Sequence, residues 1–147
     1  MSCIRFSTRA QREQLSATVP VMLTPAEAAS QHPAPVMTES KIRRLRLLGA
    51  DPNPRIRETV AGSCHAPADL LATLAEDADA GVRAGLARNE SAPLDILRRL
   101  AVDDSETVRG WLALNPSTPA EALPGLASDP SETVRGLVGW RFGHILA

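Results

Sequence analysis

The chain has 147 residues, of which 44% are hydrophobic and 22% are charged, and its formal net charge is −1. These values are typical of one folded domain and provide no general positive field for nucleic acid. No apolar run approaches the roughly 18 residues of a membrane span, and no secretory segment stands near the N-terminus, so we expect a cytoplasmic protein without membrane contact.

The first 39 residues lack a sustained hydrophobic period and are interpreted as a partly ordered N-terminal arm. Within it, residues 24–27 (TPAE) combine a hydroxyl cap, a proline and an acid, which predicts one short helix. Because the open end of a stack of repeats must be covered, we expect this arm to lie over the first repeat.

A basic segment, residues 41–48 (KIRRLRLL), follows the arm and predicts a helix. Residues 1–46 carry seven basic and three acidic side chains (net +4), whereas residues 47–147 carry nine basic and fourteen acidic ones (net −5). Such a helix could bind phosphate or an acidic protein surface. We favour a solvated face that caps the fold, because no aromatic residue is interleaved to stack on bases. The candidate anion or nucleic-acid contacts are Lys41, Arg43, Arg44 and Arg46.

From about residue 40 the chain is organised by a repeat. An aliphatic residue followed by arginine recurs at 56, 82, 108 and 134, each 26 residues after the last. A fixed period of roughly 20–50 residues indicates a stacked repeat protein. The predicted division is a half repeat at 40–55, full repeats at 56–81, 82–107 and 108–133, and a terminal half repeat at 134–147.

Each repeat is predicted to contain two short helices. In the third repeat, residues 118–121 (TPAE) form a capping box with Thr at the N-cap, and residues 129–132 (DPSE) repeat the order of cap, proline and acid. Apolar residues three or four apart, such as Val108 and Leu112, have helical spacing. Helices of about ten residues are marginal alone, so each must be stabilised by the neighbouring repeat.

Asparagine recurs at Asn89 and Asn115, where the helix that contains the repeat arginine is expected to end. Asparagine tolerates the left-handed backbone conformation that ends many helices. We therefore interpret both residues as helix terminators.

The third repeat, VRGWLALNPSTPAEALPGLASDPSET, closely follows the pattern VRxxLAxNPxTPxxxLxxLAxDPxxx, so the chain from residue 42 onwards resembles the leucine-rich repeat variant proteins. The resemblance implies an all-α fold, a right-handed α-solenoid of 26-residue two-helix repeats that mixes α and 3₁₀ geometry, related in style to HEAT repeats. The family as first described also includes an N-terminal iron–sulfur module. With only Cys3 and Cys64, and no CxxC spacing, this chain departs from the family there. We expect no iron–sulfur cluster, metal or other cofactor.

An acid precedes each repeat arginine by six residues, and two interpretations compete. In the structural one, each Asp caps its helix and each Arg bonds the Asp or loop carbonyls of its own or an adjacent layer, which forms a ladder. In the functional one, the arginines form an anion-binding stripe. We favour the ladder because the paired acids cancel the positive field. The ladder residues are Asp51, Arg57, Asp77, Arg83, Asp103, Arg109, Asp129 and Arg135.

A catalytic site is not indicated. Cys64 and His65 place a thiol beside an imidazole, but adjacent residues rarely face each other, and no third group is marked to orient the base. We therefore expect a protein that is not an enzyme.

In the helix that contains the repeat arginine, some positions depart from the repeat pattern. These positions are candidates for partner recognition. They are Arg88, Trp111, Leu114 and Trp140. Tryptophan and arginine are the residue types that carry most binding energy at interfaces, so a continuous stripe would suit a partner. The competing interpretation is that the tryptophans pack in the core. The apolar C-terminal end is expected to fold back and seal the last layer, or else to form an interface for self-association.

The sequence thus predicts a non-catalytic scaffold that binds another protein. The first alternative is a nucleic-acid-binding module that uses the basic helix. The second is a HEAT-like DNA-repair enzyme, which the near-neutral charge opposes.

Overall fold

A computed structural model describes residues 37–145 of the chain. The chain divides into two units, Met1–Val36 and Met37–Ala147, and all described residues belong to the second. The short helix predicted in the N-terminal arm lies outside the described residues.

Residues 37–145 form eight α-helices and one 3₁₀ helix, and they contain no strand. In chain order these are α1 (Glu39–Gly49), α2 (Pro54–Ala61), α3 (Ala68–Leu74), α4 (Ala80–Ala87), α5 (Leu94–Leu100), α6 (Glu106–Leu114), the 3₁₀ helix (Ala120–Ala122), α7 (Leu123–Ala127) and α8 (Glu132–Ile145). The prediction of an all-α fold built from two-helix repeats is confirmed. Across this part of the chain, no helix has both the length and the apolar character that crossing a membrane requires.

The helices that contain the repeat arginines, α2, α4, α6 and α8, are called the first helices, and each packs directly on the next. Gly85 shows how close this packing is, because a Cβ built there would lie 2.9 Å from the carbonyl oxygen of Glu58. Only a glycine lets the two backbones approach to this distance without a shift. The remaining helices are called the second helices.

One continuous apolar core runs between the two rows of helices. Val82, Val108 and Val134 from the first helices are completely buried, and so are the leucines of the second helices that face them. Because each residue is covered partly by its own repeat and partly by the next, no single repeat could bury this surface alone. The buried second-helix leucines are Leu71, Leu74, Leu97, Leu100 and Leu126.

The second helix of the third repeat is split into the 3₁₀ helix and α7, which is the mixture of geometries that the family resemblance implies. Pro124 lies in the first turn of α7. A proline there has no N–H to donate to residue 120, so an α-helix cannot run unbroken from Ala120. The equivalent positions in the other repeats hold Ala72 and Arg98, and their second helices are continuous.

The N-caps of the first helices lie two residues after the predicted positions. The N-caps of α2, α4 and α6 are Asn53, Asp79 and Ser105. The expectation that the ladder aspartates are the caps is therefore wrong, since each lies two residues earlier. There its carboxylate accepts the backbone N–H two residues on, as Asp103 does from Ser105 at 2.8 Å. This Asx turn leads the chain into the helix.

The capping box at residues 118–121 is also absent. Pro119 is the N-cap of the 3₁₀ helix and provides no side-chain bond. Thr118 is buried, and its hydroxyl donates instead to the carbonyl of Leu112 in the preceding helix. A hydroxyl here connects the two helices of the repeat and does not start the second one.

The two recurring asparagines are not left-handed terminators. Within residues 37–145 no residue has a positive φ, and Asn115 has φ −71° and ψ 121°. Both side chains are buried and have another role, which follows from their hydrogen bonds.

Candidate functional site

The arginines of the first helices bind aspartates of the following repeat. In each of three pairs the arginine Nε donates to one carboxylate oxygen at 2.7 Å, and Nη2 donates to the other at 2.9–3.0 Å. This two-point contact matches the planar guanidinium to the planar carboxylate. The pairs are Arg57 with Asp77, Arg83 with Asp103, and Arg109 with Asp129.

The third guanidinium nitrogen of each of these arginines, Nη1, is used as well. Nη1 of Arg83 donates to the carbonyl of Asp77 at 2.7 Å, and the equivalent bond recurs in the other repeats, from Arg57 to Asp51 and from Arg109 to Asp103. Each guanidinium thus joins the loop before its own helix to the loop of the next repeat. Because protein oxygens already occupy these donors, the arrangement is that of a structural ladder and not of an open anion-binding stripe.

The ladder changes the acidity of its members. The bond from Arg57 lowers the pKa of Asp77, and that from Arg109 lowers the pKa of Asp129. Burial acts to raise the pKa of Asp103, but the bonds from Arg83 and from the Ser105 backbone outweigh it, and that pKa is lowered too. The carboxylates are therefore held in the charged form.

Arg135 belongs to the last first helix and differs from the other repeat arginines. Its Nη1 donates to the carbonyls of Asp129 and Pro130 at 2.6 and 2.9 Å. Its Nε and Nη2 pair with no carboxylate of the described residues, and its side chain is exposed. At the other end, the Asp51 carboxylate accepts the N–H of Asn53 and pairs with no arginine of the described residues, although the Asp51 backbone carbonyl accepts from Arg57. Among the described residues, the ladder therefore ends in an arginine without a carboxylate on one side and in a carboxylate without an arginine on the other.

A second ladder, which the sequence interpretation missed, is formed by the two asparagines. Nδ2 of Asn115 donates to the carbonyls of Ala87 and Asn89 at 2.7 and 3.2 Å, and its Oδ1 accepts the N–H of Ser117. Asn89 makes the same three bonds one repeat earlier. The signal in the sequence is that the two asparagines lie one period apart, and it indicates bonding between repeats, not helix termination.

Arg141 continues the asparagine ladder with a different side chain. It lies 26 residues after Asn115, and its Nη1 donates to the carbonyls of Ala113 and Asn115 at 3.1 and 2.9 Å. A guanidinium here replaces the asparagine amide on the same pair of carbonyls. The last first helix, α8, is thus joined to the third repeat by the same device as the internal repeats.

Three of the four candidate partner-binding residues lie together. The guanidinium of Arg88 lies over the ring of Trp111, 5.0 Å from its centroid, and it also bonds Glu58 at 2.9 Å. Trp111 and Leu114 line a groove of about 310 Å³ between α6 and α8, closed on the other side by Thr133 and Leu137.

Both tryptophans are exposed, Trp111 by 40% and Trp140 by 57%, so they do not pack in the core as the competing interpretation requires. Trp140 occupies the position in α8 that Leu114 occupies in α6, one helix further along. The expectation that the C-terminal end folds back is not met, because α8 continues as a single helix to Ile145 and Phe142 stays 42% exposed. We call the surface formed by Arg88, Trp111 and Leu114 the first-helix face.

The four basic residues of α1 are all exposed. Arg46 is paired with Asp69 at 3.0 Å, one of three exposed ion pairs that join residues 23 apart on or just after the second helices of neighbouring repeats. The others are Glu76 with Arg99 and Arg98 with Glu121. Exposed pairs of this kind contribute little to stability.

Cys64 and His65 are both exposed, and the His65 backbone N–H donates to the hydroxyl of Ser63. Over residues 37–143 there is no group of three His, Cys, Asp or Glu side chains placed to hold a metal ion. Cys3 lies outside that range.

Two-helix units that share one core and two hydrogen-bond ladders define a helical repeat scaffold. A family model described as Leucine rich repeat variant matches residues 106–131, which run from the start of α6 to the loop before α8. The family prediction made from the sequence is thereby confirmed, and the chain contains a leucine rich repeat variant repeat. No curated protein and no solved structure matches the chain.

Proposed function

We propose that this protein is a non-catalytic scaffold that binds another protein through the first-helix face. The observation that carries the proposal is the half-exposed ring of Trp111, which lies under Arg88 and beside a groove lined by Leu114 and Leu137. A tryptophan that closes the wall of an apolar groove is the kind of anchor that dominates protein interfaces.

The geometry of the face supports an anchor that is oriented before binding. Arg88 is bound at two points, because its guanidinium pairs with Glu58 and lies over the ring of Trp111. Because Arg88 is already held, a partner that covers Trp111 does not have to order the Arg88 side chain, and less conformational entropy is lost on binding.

The tryptophan of the face is also specific to the third repeat. The position of Trp111 is occupied by Gly85 in the second repeat, where the close approach of two backbones requires a glycine. Consensus positions are committed to stacking, whereas this position varies between the copies, with Thr59, Gly85, Trp111 and Leu137. Such departures are where a repeat protein can encode recognition.

The basic helix α1 supports the alternative, a nucleic-acid-binding module, less well. Arg46 is already paired with Asp69, and no aromatic side chain on α1 is available to stack on bases. The proposal includes no catalytic step, no cofactor and no membrane contact, and it places the protein in the cytoplasm.

The test is a capture experiment with the full chain and a matched variant. We expect Trp111→Ala to lose the proteins that the wild type retains from its source cell, while circular dichroism shows an unchanged melting temperature. The control is Leu94→Ala, which removes an exposed apolar side chain from the second helix α5 and should retain them. Trp140→Ala tests whether the face extends onto α8.

Two outcomes would contradict the proposal. A loss of roughly 3–5 kcal/mol in the free energy of unfolding of Trp111→Ala would identify a core residue. Retention of the chain on heparin, with release as salt rises and loss on replacement of Arg43 and Arg44, would favour the nucleic-acid alternative.

A further inference from the structure

The two ends of the arginine–aspartate ladder are complementary. In every internal pair the arginine precedes its aspartate by 20 residues and both side chains lie in the same 26-residue register. Among residues 37–145, Arg135 has the arginine position of this register without a carboxylate, and the carboxylate of Asp51 has the aspartate position without an arginine. The ladder of residues 37–145 therefore presents a donor fork at one end and a matching acceptor at the other.

The helices at the two ends are complementary as well. Among the described residues α1 is a second helix with no first helix before it, and α8 is a first helix with no second helix after it. Leu45 and Leu48 of α1 are only partly buried, although the leucines at the equivalent positions of α3 and α5 are completely covered. Within residues 37–145, therefore, no first helix covers this side of α1.

We propose that two copies of this chain stack head to tail, with α8 of one copy against α1 of the next. Arg135 of the first copy then donates through Nε and Nη2 to the carboxylate of Asp51 in the second, which completes a fourth rung. The two half repeats together make one two-helix unit in the existing register. This proposal concerns the ends of the ladder and is independent of the first-helix face.

Partly exposed apolar side chains lie on both helices that would meet. On α1 they are Leu45 and Leu48, and on α8 they are Trp140 and Phe142, which are 57% and 42% exposed. The contact is heterologous, since it joins two different surfaces of the same chain. Such a contact does not close on itself unless the rotation happens to form a ring, so stacking continues with concentration.

The experiment is sedimentation velocity of the full chain over a series of concentrations. We expect the mean mass to rise with concentration beyond a dimer, and to fall at high salt because the rung is a charge pair near solvent. Asp51→Asn keeps an oxygen to accept the Asn53 N–H, so the turn is retained while the charge is lost. We expect it to weaken association at least about tenfold. Asp95→Asn removes one exposed charge from α5 and should leave association unchanged.

A charge exchange gives a second, independent readout. Asp51→Arg and Arg135→Glu should each be monomeric, because each variant places like charges at the joint. A mixture of the two should associate again, since each kind of joint then pairs opposite charges. Circular dichroism of each variant shows whether it remains folded, and the mixture tests the joint even where one variant is destabilised.

Several results would overturn the proposal. The first is a wild-type chain that is monomeric at all concentrations, which is the result expected if the N-terminal arm covers α1 instead. The second is a closed dimer that does not grow with concentration. The third is association that Asp51→Asn leaves unchanged.

Discussion

Replacement of Arg109 by alanine tests whether the ladder stabilises the fold. Arg109 donates to both carboxylate oxygens of Asp129 and to the carbonyls of Asp103 and Asp104. The substitution removes all four bonds and leaves the Asp129 carboxylate, whose side chain is 4% exposed, with the Ser131 N–H. The cost is therefore dominated by a buried charge that has lost its partner.

The magnitude follows from how far water can reach that charge. Breaking a fully buried ion pair costs about 3–5 kcal/mol, and losing a bond to a charged group costs about 1.5–3 kcal/mol. A groove beside the rung is lined by both Arg109 and Asp129 and is open to solvent, so water can hydrate the abandoned carboxylate. We therefore expect Arg109→Ala to lower the free energy of unfolding by about 1–3 kcal/mol.

The assay is urea unfolding followed by circular dichroism and by tryptophan fluorescence. Coincident curves show that the repeats unfold together, which a two-state analysis requires. The control is Arg98→Ala, which breaks an ion pair between two half-exposed side chains and should cost much less. In an Asp129→Asn background, Arg109→Ala should also cost less, because no charge is left unpaired. Equal losses for Arg109→Ala and Arg98→Ala would refute a structural role for the repeat arginine.

Three further predictions concern the ladders. Asn115→Ala should cost at least about 2 kcal/mol in urea unfolding, because two carbonyls and one N–H lose their partner in a buried place. Arg141→Ala should lower the amide hydrogen-exchange protection of α8 more than that of α4, since it releases only the last helix. The three paired ladder aspartates have lowered pKa values, so the stability that their charged form contributes is fully present above about pH 3.9, the ordinary aspartate value. This stability is lost as the pH falls through the lowered pKa values. Asp129→Asn should therefore flatten the acid side of a plot of stability against pH.

Much of the fold follows from the sequence because a repeat states the same information several times. The 26-residue period and the three- and four-residue apolar spacings recur along the chain, and Pro67, Pro93 and Pro119 recur in the three full repeats. Local agreement of this kind predicts helices well. The arginines and aspartates could be recognised as a ladder for the same reason. The candidate residues Arg88, Trp111 and Leu114 were recognised as departures from the repeat pattern.

Only the tertiary structure decided which groups meet. The sequence shows each aspartate six residues before an arginine, yet the carboxylate binds the arginine of the preceding repeat, 20 residues earlier, because the stacking of the first helices brings these two loops together. The same stacking turns the asparagines into donors to the previous repeat. It also leaves Trp111 half exposed beside a groove. Contacts between layers depend on the distance and rotation between neighbouring helices, and local residue spacing contains no measure of either.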